Sequence, residues 1–290
     1  MSITYRGMNV SEPDVTTPEE IEAFFAFDDQ PTGRPLASYA LWADLRPDVL
    51  KRLLNYVHFI HESESWSCPL PYLNIYAVGG WPEGVRYIMG ICQPSTFLSG
   101  PGYSRDAVVE TLALSFYLAP SWGTVLVADA IREGLAEYRE PEPGAPSPWP
   151  DGWAVAPDEL KAGLDYSTPD LTKDDVRVLR EWYLRVPGEV PKSIELYVRY
   201  RPQLLKAERN RWENIVRTGL PNQMFAYLLI HHEVWRGRAA GTREALLLAR
   251  GLGMSKEHAT DAVWYGGSFL GGTATISEVA DTVEEVLDAW

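Results

Sequence analysis

The chain has 290 residues, of which 46% are hydrophobic and 23% are charged, so it can bury a core in one large domain or two smaller ones. Its formal net charge of −14 at pH 7 repels nucleic-acid phosphates and anionic membrane surfaces, so neither is expected as a partner. There is no run of about 18 apolar residues and no signal-peptide pattern at the start, so we expect a cytoplasmic protein.

A helix is predicted near the start of the chain. TTPEEIEAFFAF (16–27) begins with threonine caps, places proline in the first turn and continues with acids. We assign this helix to an N-terminal extension that covers residues 1–34.

Three blocks of sequence recur in the same order. The first pair, LWADLRPDVLKRL and LYVRYRPQLLKAE, is separated by an offset of 155 residues (196 − 41), and both copies contain Arg-Pro-x-(Val/Leu)-Leu-Lys. Because three blocks keep their order, we predict an internal duplication. The matched blocks are 41–53 with 196–208, 72–76 with 227–231, and 102–112 with 253–263.

The predicted repeats cover residues 35–135 and 191–290, and a connector covers 136–190. The connector begins with a proline-rich stretch that cannot hold regular structure. A helix follows, and Thr172 and Asp175 at its start resemble a capping box. We expect the connector to pack on the outside of the repeats.

The remaining segments are typical of helices. Ser104 and Ser255 are candidate N-caps at equivalent places, and 243–253 is a strong helix former that ends on glycine. Segment 85–91 is ambiguous, but its partner in the second repeat is helical. No convincing alternation typical of strands is present. We therefore predict an all-α fold built from two tandem homologous helical repeats.

The order of the motifs points to a known superfamily. In each half an RPxxLK helix precedes a helix of small and apolar residues, and a third helix starts at Gly-x-Ser-(Lys/Arg)-(Asp/Glu). In this the chain resembles the carboxymuconolactone decarboxylase and alkylhydroperoxidase D-like superfamily, over most of both halves. The resemblance implies an all-helical fold, often in tandem repeats, that assembles as trimers or hexamers, so we expect a homo-oligomer.

The two cysteines, Cys68 and Cys92, form neither a CxxC pair nor a metal-ligand spacing. They could be joined in one disulfide, but two thiols in a reducing compartment are expected. The peroxidase branch of the superfamily needs a CxxC, in which one thiolate attacks the peroxide and the second resolves it. Thiol peroxidase activity is therefore not expected, whereas the acid–base chemistry of the decarboxylase branch stays open.

Glu213 is a candidate for the glutamate of the peroxidase-type site. One placement of the family pattern sets Glu213 upstream of His232, with apolar residues in place of both cysteines. A second placement, later in each half, is equally compatible with the residues. The alternative for Glu213 is a surface acid that pairs with Arg209 or Arg217 at i±4.

The stretch YLLIHHEVWRG contains two of the five histidines side by side, followed by Glu233. An imidazole that titrates near neutral pH suits proton transfer, so His231 and His232 are candidate catalytic groups, assisted by Glu233 or Glu213. Adjacent helical residues point about 100° apart, so the trio cannot face one pocket. The matching residues of the first repeat are Tyr-Ala-Val, so the polar trio does not recur as packing residues would. This difference favours a functional role for the trio. The alternative is a hydrogen-bonded core histidine beside a solvated helix end.

YVHFIHESE is a second histidine cluster. His58, His61 and Glu62 share one helical face at i, i+3 and i+4, a geometry that suits binding of a substrate or a metal. The alternative is an exposed polar face. The zinc signature HExxH is absent, because Val-Trp-Arg follows the His-Glu pair. We expect neither a metal nor a cofactor.

Aromatic residues are the remaining candidates for a substrate pocket. Two stretches rich in aromatic residues and glycine, 115–124 and 264–273, lie at equivalent places, and Pro120 is expected to kink its helix. Glycine pairs in helices mark close helix contact or room for a ligand. Core packing is the alternative. The predicted lining residues are Tyr117, Trp122, Tyr227, Trp235, Trp264, Tyr265 and Phe269.

These features predict a cofactor-independent lyase of the decarboxylase type, or a related acid–base enzyme, that acts on a small aromatic or lactone-like molecule. The alternative is a non-catalytic binding or assembly protein on a scaffold that has lost its chemistry. A metal-dependent enzyme is a third possibility.

Overall fold

The architecture comes from a computed structural model that describes residues 3–12, 14–28, 33, 35–63, 68–94, 100–119, 123–268 and 272–290. In these ranges the chain forms fourteen α-helices and one small antiparallel hairpin. The predicted all-α class is confirmed. The hairpin was not predicted, because strands of two residues are too short to show an alternating pattern.

The elements follow one another along the chain with short connections. The N-terminal part contains β1 (Thr4–Tyr5), β2 (Met8–Asn9) and α1 (Pro18–Asp28). The first half contains α2 (Ala37–Leu45), α3 (Pro47–Ser63), α4 (Leu70–Gly79), α5 (Pro82–Cys92), α6 (Arg105–Leu118) and α7 (Gly123–Ala136). The connector contains a 3₁₀ turn (Pro157–Leu160) and α8 (Lys173–Arg185). The second half contains α9 (Lys192–Tyr200), α10 (Pro202–Glu213), α11 (Asn222–Trp235), α12 (Ala239–Gly251), α13 (Lys256–Ser268) and α14 (Gly272–Asp288).

Local sequence signals set several of these helix boundaries. Thr172 and Asp175 form the predicted capping box of α8, since each side chain accepts a hydrogen bond from the backbone N–H of the other. Ser104 caps α6 in the same way by accepting from the N–H of Ala107. The ambiguous segment 85–91 lies inside α5 and is helical. Helix α6 ends before Pro120, which lies outside the described residues.

The two halves have the same number of helices and the same packing. In the first half α4 packs against α5, α6 and α7, and in the second half α11 packs against α12, α13 and α14. Helices α4 and α11 also pack against each other and so join the halves. A duplication predicts this shared arrangement, although the common origin of the halves stays a prediction.

The correspondence between the halves includes a buried lysine. The ammonium of Lys51 on α3 contacts the carboxylate of Glu20 at 2.9 Å, and the ammonium of Lys206 on α10 contacts that of Asp175 at 3.0 Å. Each acid belongs to a reciprocal cap at the start of α1 or α8. Both the lysines and the acids are 155 residues apart (206 − 51 and 175 − 20), which is the offset of the first repeated blocks.

The apolar residues around these lysines correspond in the same way. One small core joins the N-terminal extension to α2 and α3, and another joins the connector to α9 and α10. Phe24 and Leu179, and likewise Leu50 and Leu205, are buried at the same offset of 155 residues (179 − 24 and 205 − 50). The matching units therefore include α1 and α8, which the sequence boundaries at 34 and 190 had left outside the repeats.

A carboxylate of the first half fixes the loop that leads into α11. Glu110 on α6 is buried and accepts four backbone hydrogen bonds, from the N–H groups of residues 217–220. Gly219 lies so close to α6 that a Cβ there would come within 2.2 Å of the Ala107 nitrogen. This contact holds α11 in register with the first half. Within the described ranges, no helix has both the length and the apolar character needed to cross a membrane.

We expect Lys206→Ala to lower the free energy of unfolding by about 3–5 kcal/mol, because it leaves the buried Asp175 carboxylate without its ammonium partner. Urea denaturation measures this change. Lys161→Ala is the matched control, since Lys161 and Asp158 form an exposed pair whose loss should cost less than about 1 kcal/mol. Equal losses in the two variants would contradict the account.

Candidate functional site

A cavity of about 230 Å³ lies between the connector and helices α6, α10, α11 and α12. Its volume exceeds the roughly 150 Å³ of an engineered cavity that binds benzene, so a molecule with one ring fits inside. Most of its wall is aliphatic or aromatic. The rings in the wall are Tyr117, Trp182, Tyr183 and Trp212, and the charged residues are Glu189, Arg209, Glu233 and Glu244.

One wall of the cavity is built around Arg209 of α10. Its guanidinium lies 4.0 Å from the ring centre of Trp182 and 4.3 Å from that of Trp212. Its Nε donates to Glu213 at 2.7 Å, and its Nη2 donates to the Leu160 carbonyl at 2.8 Å. A guanidinium between two aromatic faces is stabilised by cation–π attraction as well as by its ion pair.

Glu213 is buried and does not line the cavity. It pairs with Arg209, as the structural alternative predicted, but it does so in the interior rather than at the surface. The reason is the connector, which covers α10: the N–H of Ala162 and the hydroxyl of Tyr166 both donate to the Glu213 carboxylate. These two donors and the Arg209 guanidinium all point at the Glu213 carboxylate. Glu213 therefore neutralises Arg209 and holds the connector in place.

Glu233 extends from the end of α11 into the cavity. Burial raises the pKa of its carboxyl, and the positive charges of Arg238 and Arg236 only partly oppose this effect. The nearest of these, Arg238, is exposed and lies 3.7 Å away. The carboxylate lies against Gly241 of α12, where a Cβ would come within 2.1 Å of Oε2. Glycine at 241 therefore leaves the space that the carboxylate occupies.

Glu244 is a second carboxylate, on α12 where the cavity meets solvent. Partial burial raises the pKa of this carboxyl, and the negative charges of Glu233 and Glu189 raise it further. Glu189 is held by two hydrogen bonds of 3.0 Å from Arg243, so its charge is compensated. Among the described residues, no cation lies within ion-pair distance of Glu244. Glu244 therefore carries an unpaired charge, and Glu233 has only its loose pair with Arg238.

His231 and His232 are buried in the core and do not line this cavity. The ring of His231 lies between Tyr72 of α4, at 6.2 Å, and Tyr265 of α13, at 5.5 Å. Within the described part of the chain, neither of its ring nitrogens has a hydrogen-bond partner. Burial lowers the pKa of both histidines to about 3, so they are neutral near pH 7.

The packing of α11 explains why His231, His232 and Glu233 have different surroundings. Helices α4, α12, α13 and α14 surround α11, so successive residues face different neighbours. The sequence argument that the three side chains cannot share a pocket agrees with the structure, and Glu233 is the member that reaches the cavity. Gly266 allows α13 to approach α11 closely, because a Cβ at position 266 would lie 2.6 Å from the His231 carbonyl oxygen.

The predicted lining residues lie in several places. Tyr117 lines the cavity, whereas Tyr227 is buried near Trp153 and Trp264 is exposed. Tyr265 packs on His231, as described above, and Trp235 packs on His232 with ring centres 5.8 Å apart. Trp122 and Phe269 lie outside the described residues.

His58 and His61 contact the N-terminal hairpin. Tyr5 and His61 share a hydrogen bond of 2.9 Å, and the ring of His58 lies 5.5 Å from that of Tyr5. Burial, reinforced by the charge of Arg6, lowers the pKa of His61 to about 4. In the ranges that the structure describes, no group of three His, Cys, Asp or Glu side chains is arranged to hold a metal.

Both cysteines are buried in the main core and are not joined in a disulfide. Burial raises the pKa of Cys92, and the neighbouring Cys68 raises it further. A peroxide-reactive cysteine needs a lowered pKa and access to solvent. The structure gives Cys92 the opposite surroundings.

Sequence reasoning found Glu233 and Tyr117 but missed Arg209, Trp212, Trp182 and Glu244 as wall residues. Arg209 was considered only as a surface partner of Glu213. The aromatic pair in the connector helix was assigned to an external element. An amphipathic helix with two adjacent aromatic residues indicates burial on one side, and that signal was available at Trp182 and Tyr183.

Comparison of the chain with known protein families, with curated proteins and with solved structures found no match. The resemblance to the decarboxylase and alkylhydroperoxidase D-like superfamily therefore rests on the motifs alone and stays a prediction.

We expect the free energy of unfolding to decrease as the pH is lowered, because of the buried histidines. Unfolded histidines take up protons below their ordinary pKa of 6.5, whereas His231 and His232 do so only near 3. Stability is therefore fully present above pH 6.5 and declines toward pH 3, by about 1.4 kcal/mol per pH unit for each histidine.

Urea unfolding between pH 7 and pH 5 measures this slope. His231→Phe removes one titrating group and should reduce the slope, whatever its effect on stability at pH 7. His258→Gln is the control, because His258 is partly exposed and hydrogen-bonded to Ser255. An unchanged slope in His231→Phe would refute the assignment.

Proposed function

We propose that the protein is an acid–base enzyme that acts on a small organic molecule with a ring, and that Glu233 transfers the proton. The observation that carries this proposal is the position of Glu233, a carboxyl with a raised pKa that lines an aromatic cavity of one-ring size. The proposal moves the proton-transfer role from the histidine pair to its acidic neighbour.

The raised pKa is the property that acid–base work needs. A carboxyl in an apolar wall is a stronger base than one in water and can also hold a proton closer to neutral pH. A positioned acid or base contributes about 10²–10⁴-fold to a rate. Glu244 at the mouth is a second carboxyl with a raised pKa and can exchange protons with solvent.

The aromatic wall supports positioning of a ring. Trp212 and Trp182 are fixed by the guanidinium between them, and Tyr117 at the end of α6 adds a third ring to the wall. Fixed flat surfaces hold a substrate ring at low entropic cost. Glu233 lines the same cavity and is therefore available to a ring held there.

The charges narrow the reaction class that the resemblance implies. A decarboxylase substrate is an anion, and Glu233 and Glu244 repel anions, while Arg209 is already paired with Glu213. A lactone-like or other uncharged ring does not meet this repulsion. We therefore place the protein among lyases or isomerases that move a proton without a cofactor, rather than among enzymes that bind a substrate carboxylate.

A binding protein without catalysis is the second candidate. It is favoured by the burial of the histidines away from the cavity, where they cannot assist a reaction. In this case the same cavity holds a ligand and no bond changes. Turnover separates the two candidates.

We also propose that the protein works as a homo-oligomer in the cytoplasm. Equivalent apolar side chains are exposed on α2 and α9 at the offset of 155 residues, and recurring exposed apolar patches support self-association. The pairs are Leu41 with Leu196, Trp42 with Tyr197, and Leu45 with Tyr200.

Sedimentation equilibrium should find an oligomer, and Leu41→Lys with Leu196→Lys should yield monomers; a monomeric wild type contradicts the proposal.

We expect Glu233→Gln to reduce turnover about a hundredfold or more, because glutamine cannot exchange the proton. Small lactones and aryl ketones are incubated with the protein in D₂O, and proton NMR follows deuterium uptake or new products. Glu257→Gln is the control, an exposed acid on α13 with the same change in charge. If Glu233→Gln keeps turnover within about threefold of the wild type, Glu233 is not the proton-transfer group.

A further inference from the structure

We infer that the ligand of this cavity carries an ammonium group beside its ring, and that this group binds between Glu233 and Glu244. The inference rests on the cavity of the proposed function and names the class of its ligand, an arylalkyl amine. It concerns recognition only and adds no chemical step.

The first argument is charge. Glu213 compensates Arg209 at 2.7 Å, and Arg243 compensates Glu189. Of the two remaining carboxylates that line the cavity, Glu244 has no cation within ion-pair distance among the described residues, and Glu233 has only a loose pair with the exposed Arg238 at 3.7 Å. An ammonium is the simplest group that supplies the missing positive charge together with hydrogen-bond donors.

The second argument is arrangement. Glu233 comes from α11 and Glu244 from α12, and the two carboxyls are close enough for the charge of Glu233 to raise the pKa of Glu244. The rings of Tyr117 and Trp212 line the same cavity. A ligand with an apolar ring and a short cationic arm matches both parts, whereas an inorganic cation would leave the aromatic part unfilled.

The third argument is proton linkage. Both carboxyls have raised pKa values, so each keeps its proton to a higher pH than an ordinary glutamate does. A bound ammonium favours the charged carboxylates and therefore expels protons. Binding of an amine should release protons as the pH is lowered into the range where these carboxyls titrate, and binding of an uncharged analogue should not.

The test uses three probes of equal size on the full-length protein: benzylamine, benzyl alcohol and benzoate. Isothermal titration calorimetry at pH 7 should show benzylamine binding about tenfold more tightly than benzyl alcohol, with benzoate weakest. The double variant Glu233→Gln with Glu244→Gln should lose this preference. Glu257→Gln should keep it, because its charge change lies outside the cavity.

Two further variants distinguish a loss of ligand recognition from a loss of folding. Glu244→Gln alone changes an exposed side chain and should reduce the amine preference about threefold without affecting folding. Gly241→Ala should displace the Glu233 carboxylate and weaken binding of benzylamine more than binding of benzyl alcohol. Equal affinity for amine and alcohol in the wild type, or stronger binding of benzoate, overturns the inference.

The outcomes separate this inference from the proposed function. Selective amine binding with turnover that survives Glu233→Gln supports the ligand class and rejects Glu233 as the proton-transfer group. Turnover that depends on Glu233 but shows no preference for amines supports the function and rejects the ligand class.

Discussion

The buried ion pair of Arg209 and Glu213 is the contact on which the cavity depends. It fixes Trp182 and Trp212 as a wall and ties the backbone of the connector to α10 through Leu160 and Ala162. Removal of either charge would leave the other buried without a partner, which costs several kcal/mol. Because the pair is internally neutral, it builds the wall without setting the charge of the site. That charge comes mainly from Glu233 and Glu244, so the proposals on function and ligand rest on the surroundings of these two residues.

The site lies where the two halves differ. Residues that hold the scaffold recur, as Lys51 and Lys206 do with their caps. At the offset of 155 residues, Arg209, Glu213 and Glu233 correspond to Leu54, His58 and Val78 of the first half. The first half therefore lacks both the ion pair of the wall and the carboxylate. The two halves therefore share their helix packing but differ in the polar residues of the candidate site.

Local signals in the sequence predicted the helices and their caps, because a cap such as Thr172 with Asp175 depends only on residues three apart. The cavity could not be predicted in this way. Its wall combines Tyr117 with Trp182, Trp212 and Glu244, which the fold alone brings together. The surroundings of His231 and His232 could not be predicted for a related reason. Adjacency is visible in the sequence, but the pKa of an imidazole depends on burial, and α11 is enclosed by helices that lie elsewhere in the chain.

The most direct test of this account is the titration of Glu233 itself, followed by carbon NMR of the labelled side-chain carboxyl and assigned with Glu233→Gln. The account predicts a pKa above the ordinary value of 4.5, which decreases when benzylamine is added. A pKa at or below 4.5 would mean that the carboxyl is well solvated. It would contradict the claim that Glu233 lies in an apolar cavity as a group suited to proton transfer.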